Sequence, residues 1–446
     1  MANFILSRNN VMALLTIAIT MWLPAATYGS DEKTTKKAGA ATAPKVQEAM
    51  DCFNRREFEQ SLELLQEAKV LNPDFPPARV MLAKFFANAK MMIAFRSSLE
   101  RTIVELPNDP EAYIILGNVA LGEQRLTEAQ LLFELGASLA ENSGRTPKRM
   151  RTLFQHANSG LAAVAEAREE WETAAKYLRN LLEINSKDAF AMQRLGRVMF
   201  LLGKTEEAVD LLRSAELADK RFETPEVIMS VLSERCGNFR FAERYMAEAL
   251  QVRPNDYQTE LAAARLSINV GKLEQATKFA KNAEKMAPKA ADPQILLGLI
   301  ARYRKDYKKA AKHFQSALLV SPNNFSANDN LALVLCEQKS REKQLLALEY
   351  AQLNARRVPR STKAAATLGW VWLKLGQIDN AEIFLREATT GEELDASTAY
   401  YLANVAVKQD QIDNAKRLLK LSLKTKQPFV YRQDVNRMLA DLDRKR

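Results

Sequence analysis

The chain is poor in the residues that build chemistry. Only two histidines, His156 and His313, and three cysteines, Cys52, Cys236 and Cys336, occur in 446 residues. There is no Cys-x-x-Cys, no His-Glu-x-x-His and no acidic pair at ligand spacing near either histidine, so no metal site is expected. No serine sits between elbow glycines, which removes the commonest signature of a hydroxyl nucleophile. Gly203-Lys204-Thr205 resembles the tail of a phosphate-binding loop, but that loop needs a glycine where Val198 stands, and a turn between two helices explains the triplet better. Catalysis and a bound cofactor are therefore not expected. Glycine and proline are also scarce, 15 of each, and alternating β-branched runs bounded by turn dipeptides are missing, which argues against sheet. Much of the remainder is Ala, Leu, Glu, Lys and Arg, the composition of helices.

What is present is a period. Pro254, Pro288 and Pro322 lie 34 residues apart, each preceded by an alanine twelve places earlier, Ala242, Ala276 and Ala310, and Pro73 and Pro107 repeat the spacing. A fixed period of this length with small residues and a helix-stopping proline at set phases predicts stacked helical hairpins. Residues 291–324 show the logic. Gly298 and Ala310 remove bulk where two antiparallel helices cross, while Leu297 and Phe314 fill the space beside the crossing. Pro322 ends the second helix and releases the chain into the next hairpin.

This pattern resembles the tetratricopeptide repeat, and eleven units are legible in phase. They run from Ala49/Ser61/Leu65/Ala68/Pro73 through Leu116-Gly117/Ala129/Phe133, Leu195-Gly196/Ala208/Leu212 and Leu368-Gly369/Ala381/Leu385 to Leu402-Ala403/Ala415/Leu419. The resemblance implies an all-α, right-handed superhelical solenoid of about eleven hairpins over residues 45–427, closed by a capping helix and basic tail in 428–446. The cysteines fall in the first, sixth and ninth units, too far apart in a solenoid for intrachain disulfides, and are expected to be free, buried thiols. Three departures stand out. About eleven extra residues, 144–154, separate the third and fourth units. The ninth unit is about three residues longer near 338–343, which predicts an enlarged turn. Met229-Ser230 replaces Leu-Gly in the sixth.

The first 29 residues stand outside the array. Arg8, an apolar run over 11–23, Pro24 and the small residues Ala25, Ala26, Thr27, Gly29 and Ser30 follow the order of a secretory signal peptide, with cleavage after Gly29 or Ser30. The alternative is an uncleaved anchor. Residues 30–44 read as a flexible linker. The chain is thus expected to be exported, periplasmic or secreted, or held by the apolar segment.

Charge is uneven. Residues 1–220 hold 27 basic and 28 acidic groups, and residues 221–446 hold 37 and 26. Arg244, Lys278 and Lys312 recur 34 apart early in consecutive second helices, a stripe that is either a solvated face or an attraction for anionic polysaccharide, membrane headgroups or an acidic protein. Nucleic acid is not expected, because no aromatics interleave the basic residues. In the repeat family the first helices line a concave groove, and Val231, Leu261, Ile295, Leu299, Leu333, Trp370 and Tyr400 occupy its early turns. The implied partner is a protein or peptide segment lying along them. The family's carboxylate clamp is not reproduced, since Lys363 and Asn330 are faced by Ile295 and Leu299. The functional expectation is a non-catalytic interaction scaffold of the cell envelope. The alternatives are an assembly factor working on polysaccharide or membrane through the basic half, and a regulatory arm for a separately encoded enzyme.

Overall fold

The computed structural model describes residues 39–142, 147–359, 361–390, 394–425 and 427–444. The signal-peptide assignment lies outside them. Among the described residues there are 23 helices and no strand. The fold is an all-α helical repeat solenoid, and the chain divides into two units, one ending at Pro225 and one beginning at Glu226.

The N-terminal unit contains five hairpins: α1 (Gly39–Asn54) with α2 (Phe58–Leu71), α3 (Ala78–Asn88) with α4 (Met92–Glu105), α5 (Pro110–Gly122) with α6 (Leu126–Asn142), α7 (Pro147–Ala167) with α8 (Trp171–Ile184), and α9 (Ala189–Leu201) with α10 (Thr205–Ala218). Helix α1 begins at Gly39 and runs through Pro44, so the stretch read as a linker is helical from residue 39. Phe53, Phe58, Phe85 and Phe86 interlock the first two hairpins at centroid separations of 5.1–5.5 Å, the tilted and edge-on geometries that aromatic quadrupoles favour.

Of the extra residues before the fourth hairpin, 147–154 lengthen its first helix. At 21 residues, α7 extends toward the start of α5 and carries Arg149 there. Arg149 donates to both Asp109 oxygens at 3.0 Å and to Glu111 at 2.7 Å, while Asp109 caps α5 by accepting from the Glu111 amide. All three side chains are nearly buried. Burial holds the nearby His156 imidazole below its ordinary value, with the Glu111 carboxylate opposing that shift.

The C-terminal unit contains six hairpins and a final helix: α11 (Pro225–Arg235) with α12 (Phe239–Val252), α13 (Tyr257–Asn269) with α14 (Leu273–Met286), α15 (Ala291–Tyr303) with α16 (Tyr307–Val320), α17 (Phe325–Cys336) with α18 (Arg341–Arg357), α19 (Thr362–Lys374) with α20 (Ile378–Glu387), α21 (Ala396–Lys408) with α22 (Ile412–Ser422), and α23 (Arg432–Arg444). Helices α12, α14 and α16 end at 252, 286 and 320, two residues before the spaced prolines. From α13 onward, successive first helices pack alongside one another and form an inner layer.

Two local devices set the period. At each Leu-Gly position the facing helix presents a large residue sixteen places on. A methyl group on Gly117, Gly196, Gly298 or Gly369 would lie 2.6–2.8 Å from Phe133, Leu212, Phe314 or Leu385. The sixth hairpin, with no glycine at the crossing, uses Ser230, whose hydroxyl donates to the Ala242 carbonyl at 2.7 Å. Ser61 does the same to Ala49 in the first. The second device is the turn, where one left-handed residue closes ten of the eleven hairpins: Arg56, Lys90, Gln124, Glu169, Gly203, Gly237, Gly271, Lys305, Gly376 and Asp410. The following amide reaches back into the first helix, as Lys204 does to the Met199 carbonyl at 2.9 Å, the bond pattern that satisfies orphan carbonyls at a helix end. The ninth hairpin has no such residue. Its extra length goes mainly into α18, which has 17 residues and is capped by Ser340, rather than into an enlarged turn. Cys52 and Cys336 are buried and Cys236 is partly buried, all free thiols.

Candidate functional site on the inner face of the C-terminal unit

Trp370 of α19 is the largest side chain fully enclosed in this unit. Its ring stacks on Tyr401 at 4.3 Å and meets Tyr400 at 5.5 Å. The indole N–H donates to Glu337 at 3.0 Å, and Lys374, one turn along α19, donates to the other carboxylate oxygen at 2.8 Å while its ammonium sits 4.5 Å over the Trp370 ring. Glu337 follows α17, so three consecutive first helices contribute to one polar and aromatic floor. Beside it, the Arg302 guanidinium of α15 donates to Asn330 at 3.1 Å.

The chain's own C-terminal segment lies on this floor. α22 ends at Ser422, and residues 428–431 cross the inner face before α23 begins. Tyr303 donates to the Pro428 carbonyl at 3.4 Å. Tyr431 stacks on Tyr400 at 4.6 Å and donates its hydroxyl to Glu337 at 3.1 Å. Phe429 meets Tyr400 edge-on at 6.2 Å, and Asp434 pairs with Lys305 at 2.7 Å. Tyr431, Val435 and Leu442 are buried in the same cluster as Leu333 and Trp370. Burial pushes the hydroxyls of Tyr400, Tyr401 and Tyr431 well above the usual phenol range, so all three stay protonated at physiological pH.

Helix α23 was expected to cap the last hairpin. It packs on α22, but its leading segment reaches back to hairpins that precede it by more than 120 residues.

Of the predicted groove residues, Leu261, Ile295, Leu333, Trp370 and Tyr400 are buried, and Val231 and Leu299 are partly so. They are not the open apolar row the sequence suggested. Neighbouring hairpins cover Leu261 and Ile295, and the C-terminal segment covers Trp370 and Tyr400. Arg244, Lys278 and Lys312 are exposed on α12, α14 and α16, with Arg244 lying against Phe241 and Tyr245 and 3.5 Å from Glu248. Lys363 stands 3.5 Å from the fully buried Asp329 carboxylate, and Asn330 is engaged by Arg302, so neither is set out as a clamp.

Sequence reasoning missed Arg302, Glu337, Tyr401 and Tyr431. An acidic residue directly after the apolar α17 was the one available signal. A cleft of about 440 Å³ opens next to Glu337, lined by Lys305, Tyr307, Lys308, Lys339 and Lys343 among others. Burial and then the Glu337 charge push the Tyr307 hydroxyl up to about 12. No group of three or more His, Cys, Asp or Glu side chains among the described residues could hold a metal ion, and no described helix is long and apolar enough to cross a membrane.

The recurrent 34-residue hairpin, with glycine facing a large residue at the crossings of Gly117, Gly196, Gly298 and Gly369, decides the repeat type. The hairpins resemble tetratricopeptide repeats. No family model matches the chain. It is 22% identical over 269 residues to anaphase-promoting complex subunit 3 of Schizosaccharomyces pombe (strain 972 / ATCC 24843), covering 59% of this chain and 38% of that subunit. The matched repeats therefore span well under half the length of that relative. Among solved structures, it is similar to a tetratricopeptide repeat protein from Parabacteroides merdae ATCC 43184 (15% identity, 57% of this chain and 98% of that one, TM-score 0.43). It is also similar to the APC/C hetero-tetramer Cut9-Hcn1 (13%, 92% and 86%, 0.44) and to yeast Tom70 (13%, 87% and 100%, 0.40).

Proposed function

We propose that this protein is a non-catalytic protein-interaction scaffold whose working surface is the inner layer of the C-terminal unit. One observation carries the reading: that surface already holds a chain segment, residues 428–431, through stacking and hydrogen bonds to side chains from α15, α19 and α21 and from Glu337. A face able to seat one peptide through side-chain contacts has the chemistry to seat another. The test is to pan a displayed-peptide library over the full chain. Peptides are expected to enrich and to lose affinity on Lys374→Ala, which strips the cation from Glu337. If none enriches above an unrelated protein, the scaffold reading fails. An envelope location is part of the proposal and is supported by the order of charged, apolar and small residues over 8–30.

A second reading is favoured by the basic excess after residue 220 and the exposed Arg244, Lys278 and Lys312. In it, the outer helices hold an anionic polysaccharide or membrane surface while the inner layer takes a protein.

A further inference from the structure

The contacts of the C-terminal segment define what the inner face selects. We infer that residues 428–435 are an intramolecular ligand of the C-terminal unit, exchanged for a partner segment that carries the same three features. These are an aromatic side chain, a hydroxyl-bearing aromatic two residues later, and a carboxylate three residues after that, as in Phe429, Tyr431 and Asp434. The inference rests on the scaffold reading and names the partner's chemistry.

Each feature answers a group on the floor. The first ring meets the edge of Tyr400. The second stacks on Tyr400 and packs against Trp370 while its hydroxyl satisfies Glu337. The carboxylate meets Lys305 at the rim of the lysine-lined cleft. Glu337 is only 11% exposed, so an occupant without a donor at the second position would leave a buried carboxylate short of a hydrogen bond, which costs affinity. A wholly apolar segment is thereby disfavoured, and acidic residues beyond the third feature would find Lys308, Lys339 and Lys343.

The segment is also suited to release. The described residues of 423–431 contain no helix, so the link from α22 can rearrange without melting a helix. The first three residues of α23 are Arg432, Gln433 and Asp434, and only Val435 and Leu442 of that helix are buried, leaving most of it able to exist in water.

The experiment uses the full chain and a fluorescent synthetic peptide of residues 427–444. In the first arm, Tyr431→Ser with Asp434→Ala weakens the resident segment without touching the floor. The peptide should bind this variant at least tenfold more tightly than it binds the unaltered chain. In the second arm, a carbodiimide joins the ion-paired Lys305 and Asp434 as an amide, verified by mass mapping, in the otherwise unaltered chain. This coupling should abolish peptide binding, while Asp434→Asn, which cannot form that amide, should keep its binding after the same treatment. Equal binding in the first arm, or binding indifferent to the coupling in the second, would overturn the exchange. So would a concentration-dependent dimer of the loosened variant that the peptide fails to dissociate, which would assign the segment to a second copy of the chain. The second arm keeps a result if the first variant folds poorly, because it leaves Tyr431 and the floor residues in place. Library peptides that bind equally well to the coupled chain would sink this inference and leave the scaffold reading standing.

Discussion

A methyl group separates tolerated from disruptive change at the glycines. Gly298 faces Phe314 so closely that an added Cβ would lie 2.6 Å from the ring, and the ring is itself fully buried, so neither side can yield cheaply. Gly298→Ala is expected to destabilise by about 1–3 kcal/mol through overpacking, read as a lowered thermal midpoint. Gly203 offers the contrast. Its added methyl meets nothing within 4 Å, and its cost is confined to the left-handed backbone, φ +78°, about 1 kcal/mol. Lys90, Gln124 and Lys305 hold the equivalent turn position, which shows that the strain is small enough for the repeat to absorb. A midpoint for Gly298→Ala no lower than that for Gly203→Ala would remove the crossing argument.

At the scale of the helix, the long α7 is fastened by charge. Two carboxylates, Asp109 and Glu111, face one nearly buried guanidinium. Removing it leaves Asp109 without a cation, while Glu111 keeps only Lys84, at 3.0 Å. Arg149→Met keeps the bulk of the stem and is expected to cost about 3 kcal/mol, the typical effect of leaving a buried charge without its partner. In a Glu111→Gln background the same substitution should cost measurably less, because one of the two carboxylates that face Arg149 is then absent. Denaturant titrations of the four chains would check this, and additive costs would show that α7 is held by apolar packing alone. Of the residues that look like an insertion, 147–154 are a helix extension with a task inside its own unit. Helix α23 makes a related point, since its hydrophobic spacing predicted a helix but not the reach of the segment that leads into it.

For the molecule as a whole, charge is the property that separates its halves. The net excess resides after residue 220, and three of its members recur once per repeat on exposed second helices. If the second reading of function holds, the full chain will be retained on an immobilised sulfated polysaccharide. The triple variant Arg244→Gln, Lys278→Gln, Lys312→Gln will then elute at distinctly lower salt, because such attraction is long-ranged and screened. Identical elution would assign the stripe to solubility. The variant should leave the inner-face peptide experiment unchanged, since these residues lie on the opposite helices of their hairpins.

Much of the architecture was legible in the residue order, because it depends on contacts close along the chain. A glycine and the phenylalanine sixteen residues later, or a proline two residues past a helix, act within one hairpin, and their repetition at 34 residues declares the helices, the crossings and the turns. The candidate site obeys a different rule. Tyr431 meets Glu337 across 94 residues, and Asp434 meets Lys305 across 129, separations at which no periodicity carries information. Stacking of the hairpins alone brings α15, Glu337, α19 and α21 to one face and lets the last residues of the chain lie on it. The sequence by itself determined that hairpins would form and pack. Only the tertiary structure decided that the aromatic row would be covered, and by which segment, because burial there is settled by how far the chain's end can reach once the repeats are in place.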